Sequence, residues 1–111
     1  NSMKENPVLI GQQRSTVIHK GAIMIDPVLR LPETHKTYHI TGYEISYLPK
    51  GKGNDLLGPF IVKGDNLTTG HAADILNKLE AGDRVFFENI TAVSNDPKEH
   101  PLKLSAAIKV E

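Results

Sequence analysis

Cysteine is absent from the 111 residues, which removes disulfides, thiol nucleophiles, iron–sulfur clusters and cysteine-ligated zinc together. The compartment stays open, because a chain without thiols is stable in oxidising and in reducing surroundings. Neither sign of charge is in excess. Thirteen Lys and Arg balance 13 Asp and Glu, so neither nucleic acid nor an anionic membrane surface is indicated. No apolar run approaches the roughly 20 residues of a spanning helix. No charged segment and apolar run precede a cleavage site, so the chain carries no export signal of its own. It opens on Asn1-Ser2-Met3-Lys4, and a missing signal therefore says little about where a parent protein resides.

What is present reads as β-structure around one helix. Ala72, Ile75, Leu76 and Leu79 recur at helical spacing, with Thr68 or Thr69 placed to cap the N-terminus and Gly82 to stop the C-terminus. A β-forming run follows from Asp83 to Ala92. Val85 and Phe87 point one way and Phe86 and Ile90 the other, as in a central strand. Leu102, Leu104, Ala106, Ile108 and Val110 alternate with polar or small residues, the clearest period of two in the chain.

Earlier in the chain, His35 to Leu48 is the longest β-like segment, with a bend or bulge expected at Gly42. Tyr43, Ile45 and Tyr47 fall on one face; Tyr38, Ile40 and Leu48 fall on the other. A hairpin joins this segment to Phe60–Lys63, with Gly51-Lys52-Gly53-Asn54 at its tip. Thr16–His19 and Ala22–Ile25 both read as strands around Lys20-Gly21. Pro27 and Pro32 border a stretch suited to an edge strand or a loop.

The predicted fold is α+β and mostly β: a small antiparallel sheet or sandwich-like domain with one amphipathic helix, about 69–81, packed on it. Residues 1–14 are expected to be a flexible tail, with a short edge strand at Val8–Ile10. Residues 15–111 form a single β-rich domain.

The residues that could carry chemistry each have a plainer reading. His35 and His39 have the spacing of a helical metal pair, but on a strand they lie about 13 Å apart, too far for one ion. His19, His71 and His100 fall at a strand end, a helix start and a loop. Gly51-Lys52-Gly53-Asn54 lacks the spacing and the following helix of a phosphate loop. Asn66-Leu67-Thr68 and Asn89-Ile90-Thr91 match the short glycosylation pattern by chance. Among the carboxylates Glu44, Asp65, Asp83 and Glu88, nothing in the sequence indicates proximity. Tyr38, Tyr43 and Tyr47 default to core packing; exposed, they would make an association surface. The expectation is no catalytic residue, no cofactor-binding residue and no metal site.

Three stretches carry a family resemblance. Ile18-His19-Lys20-Gly21-Ala22-Ile23 is similar to an "SKGAL" turn, Ile40-Thr41-Gly42-Tyr43-Glu44-Ile45 to a strand, and Ile75 to Ile90 to a helix followed by "xPGxxVYFENIKA", with Ala81 where proline is usual. Together, in order over roughly residues 15–111, they resemble the C-terminal domain of the GldM family, the gliding-motility and type IX secretion proteins of Bacteroidetes. The resemblance implies a periplasmic, β-rich, non-enzymatic domain. In that family it ends a long dimeric protein that is anchored in the inner membrane and couples a motor to the secretion machinery. This chain carries neither the anchor helix nor the other periplasmic domains. The implied role is therefore a protein–protein interaction or assembly domain of the cell envelope, whose partner is another envelope protein or a second copy. Neither a nucleic-acid partner nor membrane insertion by this chain itself is expected. The alternative is a small-ligand-binding or sensor β-domain of another extracytoplasmic Bacteroidetes protein, with its pocket between helix and sheet.

Overall fold

Eight strands and two helices follow one another in the computed structural model, which describes residues 5–51 and 55–111. The strands are β1 (Glu5–Ile10), β2 (Gln13–Ser15), β3 (Val17–Ile18), β4 (Leu29–Arg30), β5 (Tyr38–Leu48), β6 (Leu57–Lys63), β7 (Arg84–Ser94) and β8 (Leu102–Val110). The helices are α1 (Lys20–Ile25) and α2 (Gly70–Lys78). A five-stranded sheet in the order β3-β8-β7-β5-β6 is antiparallel except where β3 runs parallel to β8. A three-stranded sheet, β2-β1-β4, joins it through the 65–67 segment, where Leu29 N–H donates to the Asp65 carbonyl and Leu67 N–H to the Pro27 carbonyl. This is the α+β, mostly β architecture expected, with β7 at the centre of the larger sheet. No helix among the described residues is long and apolar enough to cross a membrane.

The core lies between the inner face of the large sheet and a cover made of α2, α1 and β1. Ala72, Ile75 and Leu76 of α2 face Ile45, Val85, Phe87 and Ile108. Two β-bulges decide what reaches that face. The pairing of β5 with β7 shifts around Gly42, as the glycine suggested, and that of β7 with β8 shifts between Phe87 and Ile90, where Asn89 takes a left-handed φ of 50°. An extra residue moves every later side chain to the opposite face. Ile40 is thereby buried along with Tyr43, Ile45 and Tyr47, and Ile90 along with Val85 and Phe87. The strict alternation that separated these residues does not survive the bulges.

Four further expectations are corrected. Residues 5–7 are strand rather than tail, continuous with the expected strand at Val8–Ile10. Val8 and Ile10 are fully buried, and the Asn6 carboxamide pairs with both backbone groups of Ala107, donating to its carbonyl at 3.1 Å and accepting from its N–H at 3.1 Å. Asn6 thus acts as a one-residue strand on the β8 edge. Residues 22–25 are helix rather than strand. Lys20 N–H donates to the Glu111 carbonyl at the end of β8, and the Ala22 and Ile23 N–H groups then turn back onto the His19 carbonyl, which closes a helical turn and carries Ile23 alone of the segment into full burial. The third correction concerns α2, which ends at Lys78, short of Ala81, and has no side-chain cap. Asn66 Oδ1 instead accepts from the Thr68 N–H and hydroxyl in a local turn. Fourth, Gly82 (φ +100°) is not the helix-stop glycine: it shapes the turn into β7, its N–H donates to the Val110 carbonyl, and a Cβ there would collide with Lys50. The hairpin tip at 52–54 lies outside the described residues.

Candidate functional site

Three places could do something: the gap between α2 and the sheet, a cleft beside β4, and the outer face of the large sheet. The gap is filled. It leaves only about 10 Å³ and is lined by apolar side chains, so no ligand fits where a helix–sheet pocket was expected.

The cleft, about 270 Å³ and open, has Leu29, Leu31 and Ile40 at its floor and Lys36, His39 and Asp65 among its rim residues. His35 does not lie on a strand. It closes a short 3-10 turn (Glu33–His35), and the chain bends at 36–37 before β5, so His35 and His39 border the same cleft. The His35 ring stands edge-on to Tyr38, centroids 5.7 Å apart, and its buried Nδ1 has no hydrogen-bond partner among the described residues. No group of three His, Asp or Glu able to hold a metal gathers among the described residues.

Asp83 is the one buried carboxylate among the described residues, 2% exposed. Burial opposes its charge, but the Lys50 N–H (2.7 Å), the Tyr47 hydroxyl (2.7 Å), the Glu80 N–H (2.8 Å) and the nearby Lys50 cation outweigh that and hold it below the usual carboxylate range. Burial and the Asp83 bond push Tyr47 up to about 12. With both oxygens engaged by the turns around it, Asp83 fixes the junctions of β5, α2 and β7. Tyr43 likewise donates to the Asn66 carbonyl at 2.6 Å from inside the core. Neither tyrosine is a surface stripe, and Tyr38 is half-buried with its hydroxyl on the His100 carbonyl.

The chain matches no family model, no curated protein and no solved structure.

The outer face of the large sheet has no layer over it among the described residues. Its side chains fall into rows across the strands. At one end Leu48, Arg84 and Lys109 are neighbours; next come Ser46, Phe86 and Ala107; next Ile61, Glu44 and Glu88; then Lys63, Gly42 and Thr91, with Lys103 paired to Thr91. Phe86 is half-buried beside a shallow depression of about 290 Å³ bordered by Asn6, Glu88, Ser105 and Ala107. Ile61, on the edge strand β6, is 78% exposed.

Two of these rows contain a feature that sheets avoid. Arg84 and Lys109 stand directly opposite each other, and so do Glu44 and Glu88. Like charges in that position are about 4.5–5.5 Å apart at Cβ and destabilise the sheet. Asn89 Nδ2 donates to Glu44 Oε2 at 3.0 Å, the one hydrogen bond that relieves the acidic pair among the described residues. Glu44 and Glu88 are thus the two carboxylates that the fold brings together. They meet on an open face rather than in a cleft.

The sequence held half of this signal. Arg84, Phe86 and Glu88 alternate with the buried Val85 and Phe87, so their shared outward face follows from period two. Which residues of β5 and β8 stand opposite them depends on the two bulges, which no local pattern locates.

Proposed function

We propose that this domain is a non-catalytic protein–protein interaction and assembly module of a bacterial cell-envelope protein, working as the GldM-type C-terminal module does. The open outer face of the large sheet carries the reading. It holds a half-buried aromatic, an exposed isoleucine and two rows of unbalanced charge, the composition of a surface that becomes an interface. The resemblance from residue 15 to 111 supports the envelope and periplasmic location and the link to secretion or gliding. Of the carboxylates, Asp83 has both oxygens bonded by the turns around it, and Glu44 and Glu88 meet on the open sheet face rather than in a cleft.

Photo-crosslinking from single positions tests this. A crosslinker at Ser105, in the depression beside Phe86, is expected to give a discrete protein adduct in the periplasmic fraction; one at Asn77, exposed on α2, is expected to give none. Adducts of equal yield from both positions, none from Ser105, or recovery only in the cytoplasm would sink the reading.

A further inference from the structure

We infer that the face is built for a second copy of this chain, in a two-fold arrangement centred on Phe86. This rests on the outer face being an interface at all, and it adds the partner and the register.

The argument starts from the order of the rows. Along β7 the outward residues run Arg84, Phe86, Glu88, that is basic, aromatic, acidic, and the cross-strand partners Lys109 and Glu44 double the charge at each end. Because Glu44 lies on β5 and Lys109 on β8, on opposite sides of β7, the two pairs face each other diagonally across Phe86, and a two-fold axis in the plane of the interface that passes Phe86 perpendicular to that diagonal exchanges them. It therefore places the Arg84/Lys109 pair of one copy over the Glu44/Glu88 pair of the other, and does so twice, as an isologous contact must. Each like-charged pair, destabilising in the isolated sheet, then meets two opposite charges. The Phe86 rings meet near the axis, where each can enter the depression beside the small residues Ser105 and Ala107 of the other copy. An aromatic at the centre with charges around it is the arrangement of a binding hot spot. The Lys63/Lys103 row falls beyond this zone, at the margin of the interface.

Size is compatible. The strands β6, β5, β7 and β8 run for seven, 11, 11 and nine residues. At about 3.3 Å per residue and 4.8 Å between strands this face spans roughly 30 Å by 20 Å, near the ~800 Å² per partner of a standard interface once its relief is counted. A generic acidic or basic partner would satisfy one row and repel the other. Only a partner that carries both signs in the reverse order satisfies both, and this chain is such a partner.

Charge reversal distinguishes a built register from incidental stickiness. One variant carries Glu44→Lys with Glu88→Lys; the other carries Arg84→Glu with Lys109→Glu. Each keeps a like-charged pair where one already stood, so the sheet itself changes little. Sedimentation over a concentration series is expected to give the unaltered chain a mass near twice 12.2 kDa. Each variant alone is expected to have a dissociation constant raised about 100-fold or more, and the equimolar mixture to return to the dimer. Far-UV circular dichroism checks folding; if a double reversal does not fold, Glu88→Lys against Arg84→Glu provides the same cross. A chain that stays monomeric throughout overturns the inference while leaving a heterologous partner, and hence the interaction reading, intact. A dimer indifferent to either reversal, or variants whose mixture stays monomeric, shows association through another surface and overturns it as well.

Discussion

The two faces of the five-stranded sheet are made by the same strands under different rules. On the inner face the apolar side chains are buried, the bulges at Gly42 and Asn89 keep them so along the full length, and Tyr43 and Tyr47 find acceptors. On the outer face Phe86 is only half-covered and two like-charged pairs stand across neighbouring strands. The inner face is what folding alone requires. The outer face is a worse surface for a free monomer than scattered charge would be, and that difference is what the proposed interface accounts for.

Adjacent phenylalanines test the contrast most sharply. Phe87 is 1% exposed and meets Tyr43 edge-on at 5.8 Å; Phe87→Ala is expected to cost about 3–5 kcal/mol through the cavity it leaves. Phe86→Ala, one residue away, is expected to cost about 1–2 kcal/mol, the burial of part of a ring, in a chain kept monomeric by dilution. Urea titration of both variants measures the difference. Equal losses would mean that the outer face contributes to folding as the inner one does.

Asp83 extends the comparison to charge, since this buried carboxylate accepts three hydrogen bonds while the Glu44/Glu88 pair accepts one, at Glu44. Its folded-state pKa lies below the ordinary value, so the unfolded chain takes up a proton first as pH falls. The stabilisation is present at neutral pH, declines once pH drops below about 4, and is lost as the folded-state value is passed. At the alkaline end Tyr47, raised to about 12, keeps its proton in the folded state after an unfolded tyrosine loses it near pH 10, so stability falls again above that pH. Asp83→Asn leaves the Tyr47 hydroxyl and two N–H groups competing for one carbonyl oxygen. It is expected to cost about 1–3 kcal/mol and to flatten the acid limb in denaturant titrations run from pH 7 to pH 3. An acid limb unchanged in that variant would show that another carboxylate sets it.

Where the two sheets meet the edge of β8, Asn6 makes the junction. Asn6→Ala removes both bonds to Ala107 and exposes that edge; a loss of about 1–2 kcal/mol and faster amide exchange at Ala107 are expected.

Asn6 also shows what the sequence could and could not say. Elements whose burial repeats with a regular period were legible: α2 from Ala72, Ile75 and Leu76, β8 from Leu102 to Val110, and the β5–β6 hairpin. Elements held by contacts distant in sequence were not. Nothing near Asn6 announces a partner 101 residues away, so residues 5–7 read as a polar tail ahead of the short strand at Val8–Ile10. The run from Ala22 to Ile25 has strand composition, and its helix follows from the turn in which the Ala22 and Ile23 N–H groups donate to the His19 carbonyl, with Ile23 alone carried into the core. The candidate face failed to show for a similar reason. Arg84, Phe86 and Glu88 can be read off one strand, but the pairs with Lys109 and Glu44 exist only once three strands are in register.

The smallest expected effect is the most telling about that face. Replacing one member of a like-charged pair, Glu88→Gln, removes a repulsion and deletes no contact of Glu88 recorded among the described residues. In a monomer held at low concentration it is expected to stabilise by a few tenths of a kcal/mol, the size of a cross-strand pair term, and the gain is expected to shrink as salt rises, because exposed charges are screened. At concentrations where the chain self-associates the sign reverses: the same substitution weakens the dimer, since Glu88 then faces Arg84 and Lys109 of the other copy. Thermal unfolding of Glu88→Gln beside the unaltered chain, at low and high protein concentration, measures both. A crossing of the two stability curves is what a residue kept for a partner produces; a residue kept for the monomer would lower stability at every concentration.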